Sequence, residues 1–173
     1  MGRLAQTLGL AEYALAMHTP LEYKRACSSD AAECIAVRGL TRQNAISVSQ
    51  LALRGITADS WSESIQSNEQ IGFLCLSQSR IIGYCFGDLI IGEIVVLALL
   101  PEFENRGIGR SLLGRVVTEL SRSGETNVFL GCSADPESRS YGFYRHLGWK
   151  TTSQYDSYGD EILEYHSAAN GEA

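Results

Sequence analysis

Proline occurs only three times in the 173 residues, at Pro20, Pro101 and Pro136. No proline-rich linker or low-complexity block is therefore present to divide the chain. No apolar run reaches the roughly 20 residues that a membrane-spanning helix needs, so no membrane partner is expected. Five cysteines (Cys27, Cys34, Cys75, Cys85, Cys132) form no C-x-x-C pair and are odd in number. That pattern fits free, buried thiols in a reducing cytoplasm and excludes a disulfide framework. His18, His146 and His166 stand alone without metal-like spacing, so no metal is expected. Basic residues are also scarce: 14 Lys and Arg against 20 Asp and Glu give a net charge of -6. Nucleic acid is excluded as a partner, because neutralising phosphates requires clustered cations. The acidic balance suits a cationic, amine-bearing substrate, although many cytoplasmic proteins are acidic for solubility alone.

What is present is an ordinary globular composition, 45% hydrophobic and 20% charged, in a length that fits one domain with a real core. Residues 1–20 carry a loosely apolar stretch interrupted by Glu12 and are expected to form an N-terminal extension or extra helix, with the domain proper over 21–173. Leu21 to Cys27 alternates and reads as a strand, and Ser29 to about Asn68 turns helical. Its segments are marked by Ala32, Ile35 and Ala36, by Val48, Leu51 and Leu53, and by Trp61 and Ile65, with caps at Ser28–Asp30 and at Thr57 or Asp59. Ile71–Leu76 and Arg80–Phe86 flank the turn Ser77-Gln78-Ser79 as a hairpin. Glu93 to Leu100 is almost continuously apolar, as a central strand covered on both faces would be. Ile108 to Ser121 is the clearest helix, with Ile108, Leu112, Leu113, Val116, Val117 and Leu120 in one stripe. Val128–Cys132 is a short strand, and Asp135-Pro136-Glu137 starts a helix that Gly148 ends. Trp149–Tyr155 and Glu161–Tyr165 close the chain as an antiparallel pair. The order predicts one α/β domain with a mixed sheet, and a homodimer through that sheet is compatible with it.

The stretch from Leu97 to Arg110 carries a buried strand through a glycine-containing turn directly into a helix. Such a turn leaves backbone N–H groups unpaired at the positive end of the helix dipole, where an anion such as a pyrophosphate binds well. Gly107 and Gly109 would let the backbone approach phosphates without a Cβ between. The segment lacks the Gly-Lys-Ser/Thr of a Walker loop and the third glycine of a dinucleotide fingerprint. A lone G-x-G reads equally as a tight turn with nothing bound.

Glu104-Asn105-Arg106-Gly107-Ile108-Gly109, after the strand end, resembles the Gln/Arg-x-x-Gly-x-Gly/Ala signature of the GNAT acetyltransferases. Phe143-Tyr144-Arg145-His146-Leu147-Gly148-Trp149 is similar to the family's second signature, an aromatic-Tyr pair before a Gly-aromatic pair. The two stand in the family's order, on helices separated by one short strand. The resemblance covers roughly Leu21 to Tyr165 and is sharp from Glu93 to Trp149. Glu104 departs from Gln or Arg, and Glu137 stands where many members have Asn. The resemblance implies a mixed, mostly antiparallel sheet of about seven strands flanked by helices, with acetyl-CoA as cosubstrate and an amine acceptor as the second partner. It implies that Arg106, Gly107, Ile108, Gly109, Arg110 and Ser111 hold the pyrophosphate. On the splayed strand Leu97–Ala98–Leu99, it makes the Leu97 amide the oxyanion donor and pairs Leu99 with the pantetheine arm.

Acyl transfer from a thioester to an amine needs a neutral amine and a protonated leaving thiolate, and alkyl ammonium groups have a pKa of about 10.4. Glu93 is the candidate base: by strict alternation it shares a side with Val95, Leu97 and Leu99, next to apolar Ile94. It also reads as a strand-end acid facing solvent. Its place matches that of the catalytic glutamate in the family's histone-acetylating branch. Tyr144 is the candidate acid, although Tyr141, Tyr144 and Leu147 also form an ordinary helical stripe. Arg110 reads equally as a solvated helix arginine. The segment from Arg38 to Asn68 is expected to line the acceptor pocket. Asp156, Asp160, Glu161 and Glu164 could attract a cation, the first three reading better as a hairpin tip. The expected function is N-acetylation of a primary amine on a small molecule, antibiotic, peptide or protein. The alternative is an acyl-CoA-binding sensor that lost turnover, which Glu104 in the cradle would favour.

Overall fold

The computed structural model describes residues 20–43, 45–124 and 127–166, so the expected N-terminal element lies almost wholly outside the described residues. Among these residues the chain runs β1 (Leu21–Arg25), α1 (Ala31–Arg38), α2 (Val48–Leu53), α3 (Ala58–Gln66), β2 (Gln70–Ser77), β3 (Arg80–Asp88), β4 (Ile94–Leu99), α4 (Ile108–Arg122), β5 (Asn127–Cys132), α5 (Arg139–His146), β6 (Lys150–Tyr155) and β7 (Glu161–His166). The strands form an antiparallel sheet β1-β2-β3-β4 and a second, antiparallel sheet β5-β7-β6. One parallel bridge, Glu93 with Phe129, joins them. The seven expected strands are therefore present, but β4 is the edge of the first sheet, and only Glu93, just before it, bridges to β5. Beyond the bridge β4 and β5 part, and the apolar run is explained by helices and cleft instead of a continuous sheet.

The β2–β3 hairpin turns at Gln78 and Ser79, both with positive φ (51° and 63°), as a tight turn between twisted strands requires. Gly87 of β3 lets α4 sit close, because a Cβ there would lie 2.7 Å from Val116 Cγ1. The stripe Ile108, Leu112, Leu113, Val116 and Leu120 is buried against the first sheet, each side chain contributing about 1.5–3 kcal/mol of transfer free energy. On the opposite face α1 buries Ala31, Cys34, Ile35 and Val37. Ala32 and Ala36, expected in that stripe, are exposed. In α2 only Leu51 of the three expected residues is buried, while Val48 and Leu53 are exposed. Cys34, Cys75, Cys85 and Cys132 are buried free thiols, as expected, and Cys27 is exposed.

Caps explain where the helices start. Ser47 and Thr57 cap α2 and α3, the Thr57 hydroxyl accepting from Ser60 N–H at 3.1 Å. Asp30 precedes α1 without capping it by side chain; its carboxylate accepts from Cys27 N–H (2.9 Å) and pairs with Lys24 (2.9 Å). The α5 start falls later than Asp135-Pro136-Glu137 suggests. Asp135 accepts from Glu137 N–H (2.9 Å) in a turn, and Ser138 is the cap of the helix. Gly148, with φ 91°, ends α5 as expected.

At the start of α4, Gly107 has φ 75° and open space around its Cα. Replacing it by alanine meets no clash, only left-handed strain, and is expected to cost about 1–2 kcal/mol. Urea denaturation of Gly107→Ala checks this; an unchanged midpoint would mean that the turn relaxes.

Candidate active site

The site lies where β4 and β5 separate. Leu100 N–H donates to Ile82 O at 2.9 Å, and Tyr84 opposes Ala98 as Phe86 opposes Val96. Strand alternation then points the N–H groups of Val96 and Ala98 at β3, and those of Leu97 and Leu99 away from it, into the gap. No ladder partner meets these two amides among the described residues, because β5 bonds this edge only at the bridge, where Phe129 N–H donates to Gly92 O (3.1 Å). Buried backbone donors are normally satisfied, so Leu97 and Leu99 offer a receptive edge to a ligand.

A cleft of about 450 Å³ opens at that edge. Its lining includes Leu97, Leu99, Gly109, Phe143, Tyr144 and Arg38. A Cβ on Gly109 would sit 3.5 Å from Phe143 and 3.7 Å from Leu97, so glycine keeps this side of the cleft wide. The N-terminus of α4 faces the same region. It carries no side-chain cap and no acid in its first turn, unlike α2, α3 and α5, which Ser47, Thr57 and Ser138 cap. The first N–H groups of α4 and its dipole are thus left for an outside acceptor.

Glu104 does not point a bare carboxylate at this anion site. It pairs with Arg42 (3.0 Å) and with Arg139, whose other nitrogen donates to Asn105 Oδ1 at 3.1 Å. The Gln43 side chain in turn accepts from Arg139 N–H at 3.1 Å. The α1–α2 loop is thereby tied to both the pre-helix turn and the start of α5.

The sequence-predicted residues separate in space. Leu97, Leu99, Gly109 and Tyr144 meet in the cleft. Ala98 is buried on the opposite face, with its N–H towards β3. Ile108 is a core residue, 0% exposed. Arg106 stacks over Phe103 (5.5 Å). The exposed Arg110 lines another groove, of about 870 Å³, along the outer flank of α4 with His146 and Trp149. Gly107 and Ser111 contribute backbone, the Ser111 N–H donating to Gly107 O at 3.0 Å.

Tyr144 packs edge-on to Phe143 (5.1 Å) and Trp149 (5.9 Å). Burial raises its pKa well above the phenol value, with Cys85 and Cys132 adding to the rise and Arg38 opposing it. Glu93 does not share a side with Leu97. The pairing skips Val95, since Cys85 opposes Leu97, Phe86 opposes Val96 and Gly87 opposes Ile94. This bulge shifts the alternation by one residue, so Ile94 and Leu97 both face α4 and Glu93 faces the other side. There it is half-buried, and burial raises its pKa, helped by Asp88 and Asp156.

On that other face lies a second pocket of about 440 Å³. It is lined by Arg38, Leu51, Arg54, Ile56, Trp61 and Tyr84 among others, and reaches β4 at Val95 and Val96. Of the segment Arg38 to Asn68, expected to line the acceptor pocket, residues between Arg38 and Ser64 border this cavity, and Arg38 borders both cavities. Trp61 packs tilted against Phe86 (4.8 Å) and edge-on to Tyr84 (5.7 Å) and donates its indole N–H to Gln70 (2.6 Å). Sequence reasoning singled out neither Tyr84 nor Arg54; a strand tyrosine and a helix-end arginine carry no motif. Asp156 accepts from Tyr158 and Asp160 N–H within the hairpin, and Glu161 pairs with Arg145. No helix among the described residues is long and apolar enough to cross a membrane, and none of their acids, cysteines and histidines group as a metal site.

Comparison with known proteins agrees with this geometry. The PaiA N-acetyltransferase of Thermoplasma acidophilum, solved in complex with coenzyme A, has a similar fold: TM-score 0.72 at 20% identity, over 86% of this chain and 99% of that one. The ribosomal-protein-S18-alanine N-acetyltransferase of Escherichia coli gives a TM-score of 0.64 at 14% identity, over 89% and 99%. These are likenesses of fold. In sequence, the chain is 33% identical over 81 residues to an uncharacterized N-acetyltransferase of Chlorobaculum tepidum, across 45% of this chain and 48% of the relative. The chain thus matches about half the length of that relative. The model of the acetyltransferase (GNAT) family matches residues 49–149, more than half of the chain, and takes in β4, the glycine turn, α4 and Tyr144; the chain belongs to the GNAT acetyltransferase family.

Proposed function

We propose that this protein moves an acetyl group from acetyl-CoA to a primary amine by direct transfer, with both substrates bound at once. The observation that carries the reading is the pair of ladder-free amides at Leu97 and Leu99 beside the uncapped N-terminus of α4. Together they suit a ligand with a polar, amide-bearing arm and an anionic end. Acetyl-CoA supplies the acyl group as an activated thioester. The Leu97 N–H stabilises negative charge developing on the thioester oxygen, and Leu99 bonds the arm. The backbone from Arg106 to Ser111 receives the pyrophosphate. As the amine forms the C–N bond and the C–S bond breaks, one proton must leave nitrogen and one must reach sulfur. Glu93 takes the first, directly or through water, from the side of the sheet that holds the second pocket. Tyr144 gives the second and is reprotonated from solvent.

The rival reading, an acyl-CoA sensor without turnover, drew on Glu104 in the cradle. Its pairing with Arg42 and Arg139 removes that ground. Calorimetric titration with acetyl-CoA, with ATP and NAD as controls, is expected to show selective micromolar binding. An amine panel followed by thiol release should then show turnover. Absence of acetyl-CoA binding would overturn the reading, and binding without turnover would return it to the sensor.

A further inference from the structure

The pocket on the Glu93 side has an unusual charge pattern for a chain of net charge -6. The charged residues that line it are Arg38 and Arg54, and no Asp or Glu is among its described lining residues. Arg38 comes from the last turn of α1 and Arg54 from the end of α2, so two elements converge to bring like charges together. Arg38 is half-buried, and burial depresses its pKa, with Tyr84 and Tyr144 opposing the fall and Arg54 adding to it. An anion between the two guanidinium groups can accept charge-assisted hydrogen bonds from both, beside an apolar wall that favours the rest of such a ligand. Beneath them Tyr84 is fully buried, and its hydroxyl has no hydrogen-bond partner among the described residues. Buried hydroxyls are rarely left so, and this one belongs to the wall of the same pocket. The remaining wall is apolar and aromatic, with Ile46, Leu51, Ile56 and Trp61.

We propose that the acceptor is a small amine that also bears a carboxylate on an apolar or aromatic body, an amino acid in chemical class, with the carboxylate held by Arg38 and Arg54. Such a molecule is zwitterionic, and the site is divided to match. The cations stand at the ends of α1 and α2, Arg38 half-buried and Arg54 exposed at the rim, whereas Glu93, Asp88 and Asp156 gather at the start of β4, where the ammonium group would lose its proton. The acidic balance of the whole chain, which suggested a cationic acceptor, does not describe this pocket. The proposal rests on the acetyl-transfer reading for its chemistry but not for its binding prediction.

The test uses matched ligands. N-acetyl-L-phenylalanine and its amide are titrated calorimetrically into the full chain with CoA present, and L-phenylalanine, its amide and phenethylamine are compared as acceptors by thiol release. The carboxylate is expected to improve binding, and kcat/KM, by about 10- to 100-fold, as charge-assisted hydrogen bonds do. In Arg54→Gln, at an exposed site at the end of α2 where the melting temperature is expected to stay within a few degrees of the parent's, that carboxylate-to-amide ratio should collapse towards one. Arg54→Lys should restore part of it. Carboxylate preference in binding without turnover of any amine would uphold the pocket and sink only the acetyl-transfer reading. Turnover with no carboxylate advantage, or a preference for phenethylamine, would overturn the pocket assignment and leave acetyl transfer standing.

Discussion

Replacing Tyr144 by phenylalanine is expected to lower kcat about 100-fold while leaving the Kd for acetyl-CoA within about twofold. The ring remains between Phe143 and Trp149, so packing in α5 changes little and the loss falls on the hydroxyl. Burial raises the phenol pKa, which keeps the acid protonated throughout the working range. The same exclusion of water raises the proton affinity of a departing thiolate, so donor and acceptor shift together. A second consequence follows for the alkaline side. Activity should not fall through pH 10, where an ordinary tyrosine would ionise. Unchanged kcat in Tyr144→Phe would remove the phenol from the mechanism. A lower kcat with much weaker acetyl-CoA binding would make it a wall of the cleft.

Replacing Glu93 by glutamine is expected to reduce kcat/KM by about 10²- to 10⁴-fold near neutrality. The deficit should shrink at alkaline pH, where the free amine becomes plentiful. In the parent protein kcat/KM should rise through a pKa above the usual carboxylate range, because burial, Asp88 and Asp156 all disfavour the charged form. In the variant that limb should vanish. Stability moves the other way. A carboxyl with a raised folded-state pKa favours the fold when protonated, and that contribution is lost as pH rises through the folded pKa. Glutamine mimics the protonated form, so Glu93→Gln should melt above the parent at neutral pH and alongside it in acid. A variant that lost activity but kept the acid limb would assign the base to another group. One that melted lower would show that the charge of Glu93 is structural.

The two signatures and the elements that carry them were legible because their physics is local. The α4 stripe repeats every 3.6 residues, and Gly107 marks a left-handed residue that other side chains avoid. Gly148 and the β2–β3 turn were readable for the same reason. What escaped depends on partners distant in sequence. Nothing in Glu93-Ile94-Val95-Val96 announces that Val95 is passed over in the pairing with β3, and that one residue moves Glu93 to the opposite face from Leu97. Ala32 and Ala36 fit a helical stripe as well as Ala31 and Ile35 do, and only the position of the sheet decides between them. Asp135-Pro136 has the form of a helix start, but Ser138 is a cap as well and prevails. Arg139 satisfies Glu104 from 35 positions away, which no motif records. The pocket of Arg38, Arg54 and Tyr84 is likewise made by three separate elements.

Among the described residues the two sheets meet at one bridge, Glu93 with Phe129, and diverge from it like the arms of jaws. Their pivot is the Gly92–Phe129 contact, and their tips lie towards Leu99. A change of angle where two arms join is magnified along them, so the width at the tips depends on residues outside the lining of the cleft. The packing of Val116 and Leu120 under Gly87 is one such control, since it sets how the first arm rests on α4. Substitutions at Gly87, Val116 or Leu120, none of which lines the cleft, are therefore expected to change its width.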